Sequence, residues 1–188
     1  MKFCYKNYTL FILDDSNYVL NSTDNPAPYG IEHFDRMFDS HSTSAASQHG
    51  IRVIKDDVEI ASAIICEIGG ATTVHDHSAV ISNESILICC SDKVYSLSLP
   101  DLQINWKKRL DLATCLAIYS FKGDFIIHGE LQITRIDNMG NEIWSFSAKD
   151  IFVTADGKES IEITGDAIKV RDWNGDEFTL NENGQVIM

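Results

Sequence analysis

The feature that most constrains this chain is its punctuation. Asn138-Met139-Gly140-Asn141, Asp156-Gly157, Asn174-Gly175 and Asn183-Gly184 all fall between apolar runs, and such residues tolerate the positive φ that tight hairpin turns require. Between the turns lie short runs rich in Ile, Val, Thr, Tyr and Trp: 51–54, 86–90, 94–99, 125–128, 132–136, 142–146, 160–164 and 167–171. Several alternate with period two, as half-buried strands do. The spacing therefore predicts an all-β chain of antiparallel strands. The exception is residues 26–50, where Pro26 and Pro28 precede Ile31, Phe34 and Phe38 at helical spacing. A short helix over 31–39 is expected there, followed by a Ser-rich loop. This divides the chain into an N-terminal region, residues 1–50, with a strand over Tyr8 to Leu13, and a repetitive region, residues 51–188.

The repetition has a period. VYSLSLPDLQINW (94–106) and ITRIDNMGNEIW (133–144) share an apolar strand, a turn and a strand ending in Trp. IKVRDWNGDEFTL (168–180) continues the series, with Ile168, Gly175, Glu177 and Phe178 following Ile133, Gly140, Glu142 and Ile143. A period of roughly 35–39 residues marks stacked supersecondary units. These segments resemble the blades of PQQ-like and WD-type β-propellers over residues 51–180. The resemblance implies three or four antiparallel blades and says little about activity. Closed propellers use typically about four to eight blades of about 40 residues, so 188 residues supply a small ring or an incomplete one. In the first case the strand Tyr8 to Leu13 pairs with the last blade; in the second, sheet edges stay open and invite partners.

Charge narrows the partners. The chain holds 15 Lys and Arg against 28 Asp and Glu, a net charge of −13, and residues 137–188 carry eleven acidic against four basic residues. Such a surface repels phosphate backbones, which disfavours nucleic acid and points to a basic partner. No apolar stretch reaches the roughly 18 residues of a membrane span. The opening MKFCYKNYTLFILDD reads as a strand, because Asp14 and Asp15 break its apolar run. Five cysteines (4, 66, 89, 90, 115) without metal or disulfide spacing fit a reducing cytoplasm. Adjacent Cys89 and Cys90 place one thiol on each face of a strand, and with their apolar flanks both read, like Cys115, as small core residues.

Few motifs carry chemistry. His75 and His77 are two apart, so on a strand both point to one face and are able to share a metal. GGATTVHDH resembles the first half of a cupin metal motif, but Glu84 comes too late for the expected acid and no second half follows. A polar turn or strand end is the simpler reading, and no cofactor is expected. His41 and His49 flank the Ser-rich loop, and His128-Gly129-Glu130 ends an apolar strand, where a turn cap explains it. The acidic turn Asp172-Trp173-Asn174-Gly175-Asp176 lacks EF-hand spacing. It fits a solvated hairpin turn.

The absence of a catalytic constellation favours a non-enzymatic protein-binding module. Its contacts are expected at Asp172, Trp173, Asp176 and Glu177, where an aromatic sits beside charge. One concrete form is an immunity protein that neutralises a basic bacterial toxin: FIIHGELQITRIDNMGNEIWSFSAKDIFVT resembles uncharacterised bacterial immunity-type proteins of polymorphic toxin systems. The alternatives are a cupin-like metal enzyme using His75 and His77, or a propeller subunit that associates with itself. The sequence leaves the oligomeric state open.

Overall fold

Strands form where the punctuation places them. The computed structural model describes residues 1–34, 45–155, 157 and 159–187, and among these every regular element is a strand. They build four sheets in succession along the chain. The first contains β1 (Lys2–Tyr5), β2 (Tyr8–Asp14), β3 (Ile31–Phe34), β4 (Ser47–Lys55) and β5 (Val58–Glu67) in the order β1-β2-β4-β5-β3. The second is a meander of β6 (Ala79–Ser82), β7 (Ser85–Cys90), β8 (Lys93–Ser98) and β9 (Ile104–Arg109). The third repeats it with β10 (Cys115–Phe121), β11 (Asp124–Gly129), β12 (Ile133–Ile136) and β13 (Glu142–Phe146). The fourth has β14 (Ile161–Thr164), β15 (Ala167–Arg171) and β16 (Glu177–Leu180), to which Val186 adds a single bridge at Leu180.

The helix expected over 31–39 is absent where the chain is described. Ile31–Phe34 is a strand instead, lying parallel to Ala63–Cys66 of β5. The long apolar β5 offers a free edge, and ladder hydrogen bonds there outweigh the weak helical spacing of Ile31 and Phe34. Phe38, His41 and most of the Ser-rich loop lie outside the described residues, while Ser47–Gly50 belong to β4. The strand Tyr8–Asp14 pairs with β1 and β4, not with the last sheet.

Packing is sequential. Successive residues of a strand face opposite sides, so a sheet between two others is apolar on both faces. Thus Ile86, Ile88 and Cys90 of β7 join Leu10, Ile51, Val53 and Ile65 of the first sheet, while Leu87 and Cys89 join Ile118, Phe125 and Ile127 of the third. Both adjacent thiols are therefore core, each in a different layer; burial pushes both far up, away from the reactive thiolate. From β11, Ile126 turns the other way, onto Ile161, Ile168, Val170 and Leu180 of the fourth sheet. No core cluster of the described residues joins the fourth sheet to the first, and no closed propeller forms.

The two end faces are finished differently. Over the first sheet the segment between β2 and β3 lays Tyr18 and Tyr29 on Ile64 and Cys66, their rings edge to face at 5.2 Å. Tyr18 Oη donates to Glu32 at 2.6 Å and Tyr29 Oη to Asp15 at 3.0 Å, while the Arg52 guanidinium lies 4.4 Å from the Tyr29 ring centre. On the fourth sheet the register Glu162↔Lys169↔Thr179 and Arg171↔Glu177 leaves a charged outer face. Repeat arrays need such polar or covered termini.

One rim of the array, where β6 turns to β7 and β8 to β9, is tied by aromatic ring nitrogens. His33 Nε2 on the outer strand of the first sheet donates to Leu102 O in the β8–β9 turn at 2.9 Å. Trp106 Nε1 of β9 donates to Asn138 O in the β12–β13 turn at 3.2 Å. Trp144 Nε1 of β13 donates to Glu182 O at 2.8 Å. Those last two turns are alike: Asp137 Oδ1 accepts from the N–H groups of Met139 and Asn141, and Asn181 Oδ1 from those of Asn183 and Gln185. Each turn places a glycine at positive φ under a tryptophan, where a Cβ on Gly140 would stand 2.9 Å from Trp106 and one on Gly184 2.6 Å from Trp144. Gly175 meets nothing within 4 Å. The turn structurally equivalent to Asp137–Asn141 is therefore Asn181–Gln185, not the Asp172–Asp176 turn that the sequence aligns with it.

Candidate functional site

The opposite rim carries the connections between sheets, 68–78, 110–114 and 147–160, and backbone hydrogen bonds run along it from sheet to sheet. Gly70 N donates to Ala113 O, Glu130 N to Thr114 O, Phe152 N to Glu130 O and Trp173 N to Ile151 O, at 3.2, 2.8, 2.7 and 2.8 Å. This chain of bonds fixes the loops. It also sets out one exposed apolar side chain per sheet: Ile68, Leu112, Leu131 and Trp173, of which Leu112 is 73% exposed.

Beneath the row the loops are held by buried polar groups. Asp111 accepts from the N–H groups of Ala113 and Thr114 with Oδ1 and from those of Leu131 and Gln132 with Oδ2, all within 3.1 Å. Gly129 lacks a side chain because a Cβ would stand 2.1 Å from Asp111 Oδ2. Between the first two sheets, Lys93 Nζ donates to fully buried Glu67 at 2.7 Å and to Asp92 at 3.0 Å, Tyr95 Oη donates to Glu67, and Arg109 reaches Asp92 at 2.6 Å. Burial opposes the Lys93 charge, but both carboxylates outweigh it and raise its pKa. These groups satisfy one another, so their role is to hold the rim.

A cleft of about 300 Å³ opens between the 68–78 connection, the third sheet, the 147–160 connection and the start of the fourth sheet. Its walls include His75, His77, Tyr119, His128, Glu159 and Ser160. His75 Nε2 donates to Leu116 O at 2.9 Å and its Nδ1 accepts from His77 N at 3.3 Å. Both ring nitrogens of His75 are thus engaged, and among the described residues no group of three or more His, Cys, Asp or Glu is placed to hold a metal. His77 lies on the Tyr119 ring, 4.7 Å between centres. His128 Nε2 donates to Phe152 O at 2.8 Å, and Ser160 Oγ, 3.0 Å from that nitrogen, also donates to Phe152 O. Because Nε2 carries its proton toward a carbonyl, His128 anchors the loop and does not act as a base on Ser160. Burial lowers its pKa.

The four residues expected to bind a partner separate here. Asp172 is buried, with Oδ1 accepting from Asp176 N at 3.0 Å and Oδ2 without a hydrogen-bond partner. Glu177 is exposed but tied to Arg171, whose guanidinium lowers its pKa. Trp173 and Asp176 face solvent on the rim. The sequence reading missed the apolar row and the cleft. Leu112 and Leu131 each stand in a polar loop, a local signal for exposure, but Tyr119 and Glu159 come together only through the stacking of sheets.

No protein-family model matches the sequence, and no curated protein matches it. Among solved structures, the computationally designed Ika8 protein is similar at a TM-score of 0.54 and 8% identity, over all of this chain and 59% of that one. The designed Ika4 protein matches at a TM-score of 0.49 and 9% identity, over 62% of this chain and 76% of its own. The AfRom2 CNH domain matches at 0.49 and 11% identity, over 77% and 47%. The likeness to Ika8 is one of fold alone, and this chain spans about three-fifths of its length.

Proposed function

We propose that the protein is a non-enzymatic binding module whose connecting-loop rim docks a basic protein. The observation that carries this reading is the composition of that rim. Ile68, Leu112, Leu131 and Trp173 form an exposed apolar row beside exposed Asp76, Glu159 and Asp176, none of which is in an ion pair among the described residues. Several Lys and Arg side chains, by contrast, pair with carboxylates elsewhere, as in Lys6–Glu84, Arg52–Glu59, Lys122–Asp166 and Arg135–Asp124, while Lys149 is exposed in the 147–160 connection. Apolar anchors with a charged border are the anatomy of a protein interface, and a net charge of −13 speeds encounter with a cation. The four sheets serve as an open, blade-like scaffold. An immunity protein acting on a basic toxin in a reducing cytoplasm is the concrete form this reading takes. Among the described residues no helix is long and apolar enough to cross a membrane.

The test is retention of a partner by the tagged protein from lysate of its own source. The expected result is a stoichiometric basic protein that high salt releases, that Leu112→Ser with Leu131→Ser abolishes, and that Lys55→Ala on the opposite rim leaves in place. A retained protein indifferent to the two leucines overturns the assignment of the rim.

A further inference from the structure

The cleft has a chemistry of its own. Among the described residues no Lys or Arg lines it. Its imidazoles are occupied: His75 bonds through both nitrogens, and His128 through Nε2 to Phe152 O. What remains open to a guest is the half-buried Tyr119 ring, backed by His77, and the exposed Glu159 carboxylate. Both line the one cleft, where burial and then the Glu159 charge push the Tyr119 hydroxyl up to about 12. An aromatic face beside a carboxylate attracts cations and repels anions. Of the two basic side chains, the planar guanidinium stacks on a ring and offers a fork of N–H donors at once.

We propose that the cleft receives an arginine side chain, with its guanidinium against Tyr119 and its charge facing Glu159. The inference rests on the reading of the rim as the docking face for a basic partner, and supplies that partner's anchor: an arginine projecting between the 68–78 and 147–160 connections onto the third sheet. The other hollow of this size, about 340 Å³ on the outer face of the fourth sheet, does not compete. Its two cations already pair, Lys169 with Glu162 and Arg171 with Glu177, no two aromatic rings line it among the described residues, and Glu159 lies on the border between the two hollows.

The probe is N-acetyl-arginine methylamide, titrated against the full chain carrying ring-labelled Tyr and His, with the isosteric but neutral citrulline amide as control. Saturable shifts of the Tyr119 and His77 ring signals are expected, with a Kd on the order of 1–10 mM. They should weaken at least about fivefold in Glu159→Gln, an exposed substitution that leaves the core intact, consistent with loss of a charge-assisted contact. Equal shifts with citrulline, no saturation, or indifference to Glu159→Gln overturn the inference. The two readings fail separately. Arginine amide that binds while no basic protein is retained removes the docking role and keeps the cleft. A partner held equally by wild type and Glu159→Gln with Tyr119→Leu removes the cleft and keeps the rim.

Discussion

The two rims of the array are built from the same strands and do opposite work. On the hairpin rim, His33, Trp106 and Trp144 each send a ring N–H into the turn of the next sheet, and the turns answer with glycines that admit the two indoles. On the connecting-loop rim the polar groups point inward, to Asp111, Glu67 and His128, and apolar side chains are left outside. Indoles thus tie neighbouring sheets on the hairpin rim, whereas on the loop rim imidazoles do so, His75 to Leu116 O and His128 to Phe152 O, and the indole of Trp173 is left exposed. The difference teaches that exposure at the loop rim is not careless packing, since backbone bonds from Gly70, Glu130, Phe152 and Trp173 hold its loops in place.

Breaking the hairpin rim gives the largest effect. Trp144→Ala removes a half-buried indole and its bond to Glu182, and is expected to cost about 3 kcal/mol in urea unfolding. Gly184→Ala places a Cβ against the same ring at a φ of 73° and should cost about 2–3 kcal/mol. An unchanged midpoint for either would dissolve the contrast between rims. Buried histidines come next. Burial lowers the pKa of His33, His49 and His128, so all three are neutral in the fold while the unfolded chain binds protons near pH 6.5. Their contribution is whole above about 6.5 and is lost as pH falls below it toward the folded values, by up to about 1.4 kcal/mol per pH unit for each. His128→Asn should flatten the decline in unfolding free energy between pH 6.5 and 5.5 by one histidine's share. A slope unaltered by it would place the protonation elsewhere.

Smaller effects sharpen the comparison. Asp137→Ala deprives two N–H groups of their acceptor and should cost about 1 kcal/mol, whereas Asp172→Asn, which keeps the single bond that Asp172 accepts, should be close to neutral. At the loop rim, Leu112→Ser should move stability by less than about 0.5 kcal/mol and show itself only in partner retention. A measurable loss of stability there would mean the residue is packing, not interface.

Much of the fold is legible in the sequence because strand period and turn chemistry are local. The second and third sheets follow from alternating runs closed by short polar turns, Asn-Met-Gly-Asn in the third and Pro100-Asp101 in the second, and Trp106 and Trp144 share a role as their positions suggest. The Ile31–Phe34 segment is not legible, since its pairing with β5 depends on an edge 32 residues away in sequence. The register of the last unit misleads because Gly175 and Gly184 sit in similar turns, and only contact with an indole distinguishes them. At the site, Trp173 and Asp176 stand out by residue type, while buried Asp172 looks the same in sequence as an exposed aspartate. The cleft draws on two sheets and two connections far apart in sequence, and no local pattern announces it.

A ring fixes its membership, because adding one unit alters the angle at every joint. Here, among the described residues, the core clusters join only consecutive sheets, and both end faces are finished, one by the Tyr18 and Tyr29 cover and one by the charged register of Glu162, Lys169, Arg171 and Glu177. In such a quasi-one-dimensional stack the energy is a sum of neighbour terms. Tandem duplication of an interior sheet would lengthen the molecule, and with it the rim, without reworking either terminus, which gives this architecture a route to new lengths that closed rings lack.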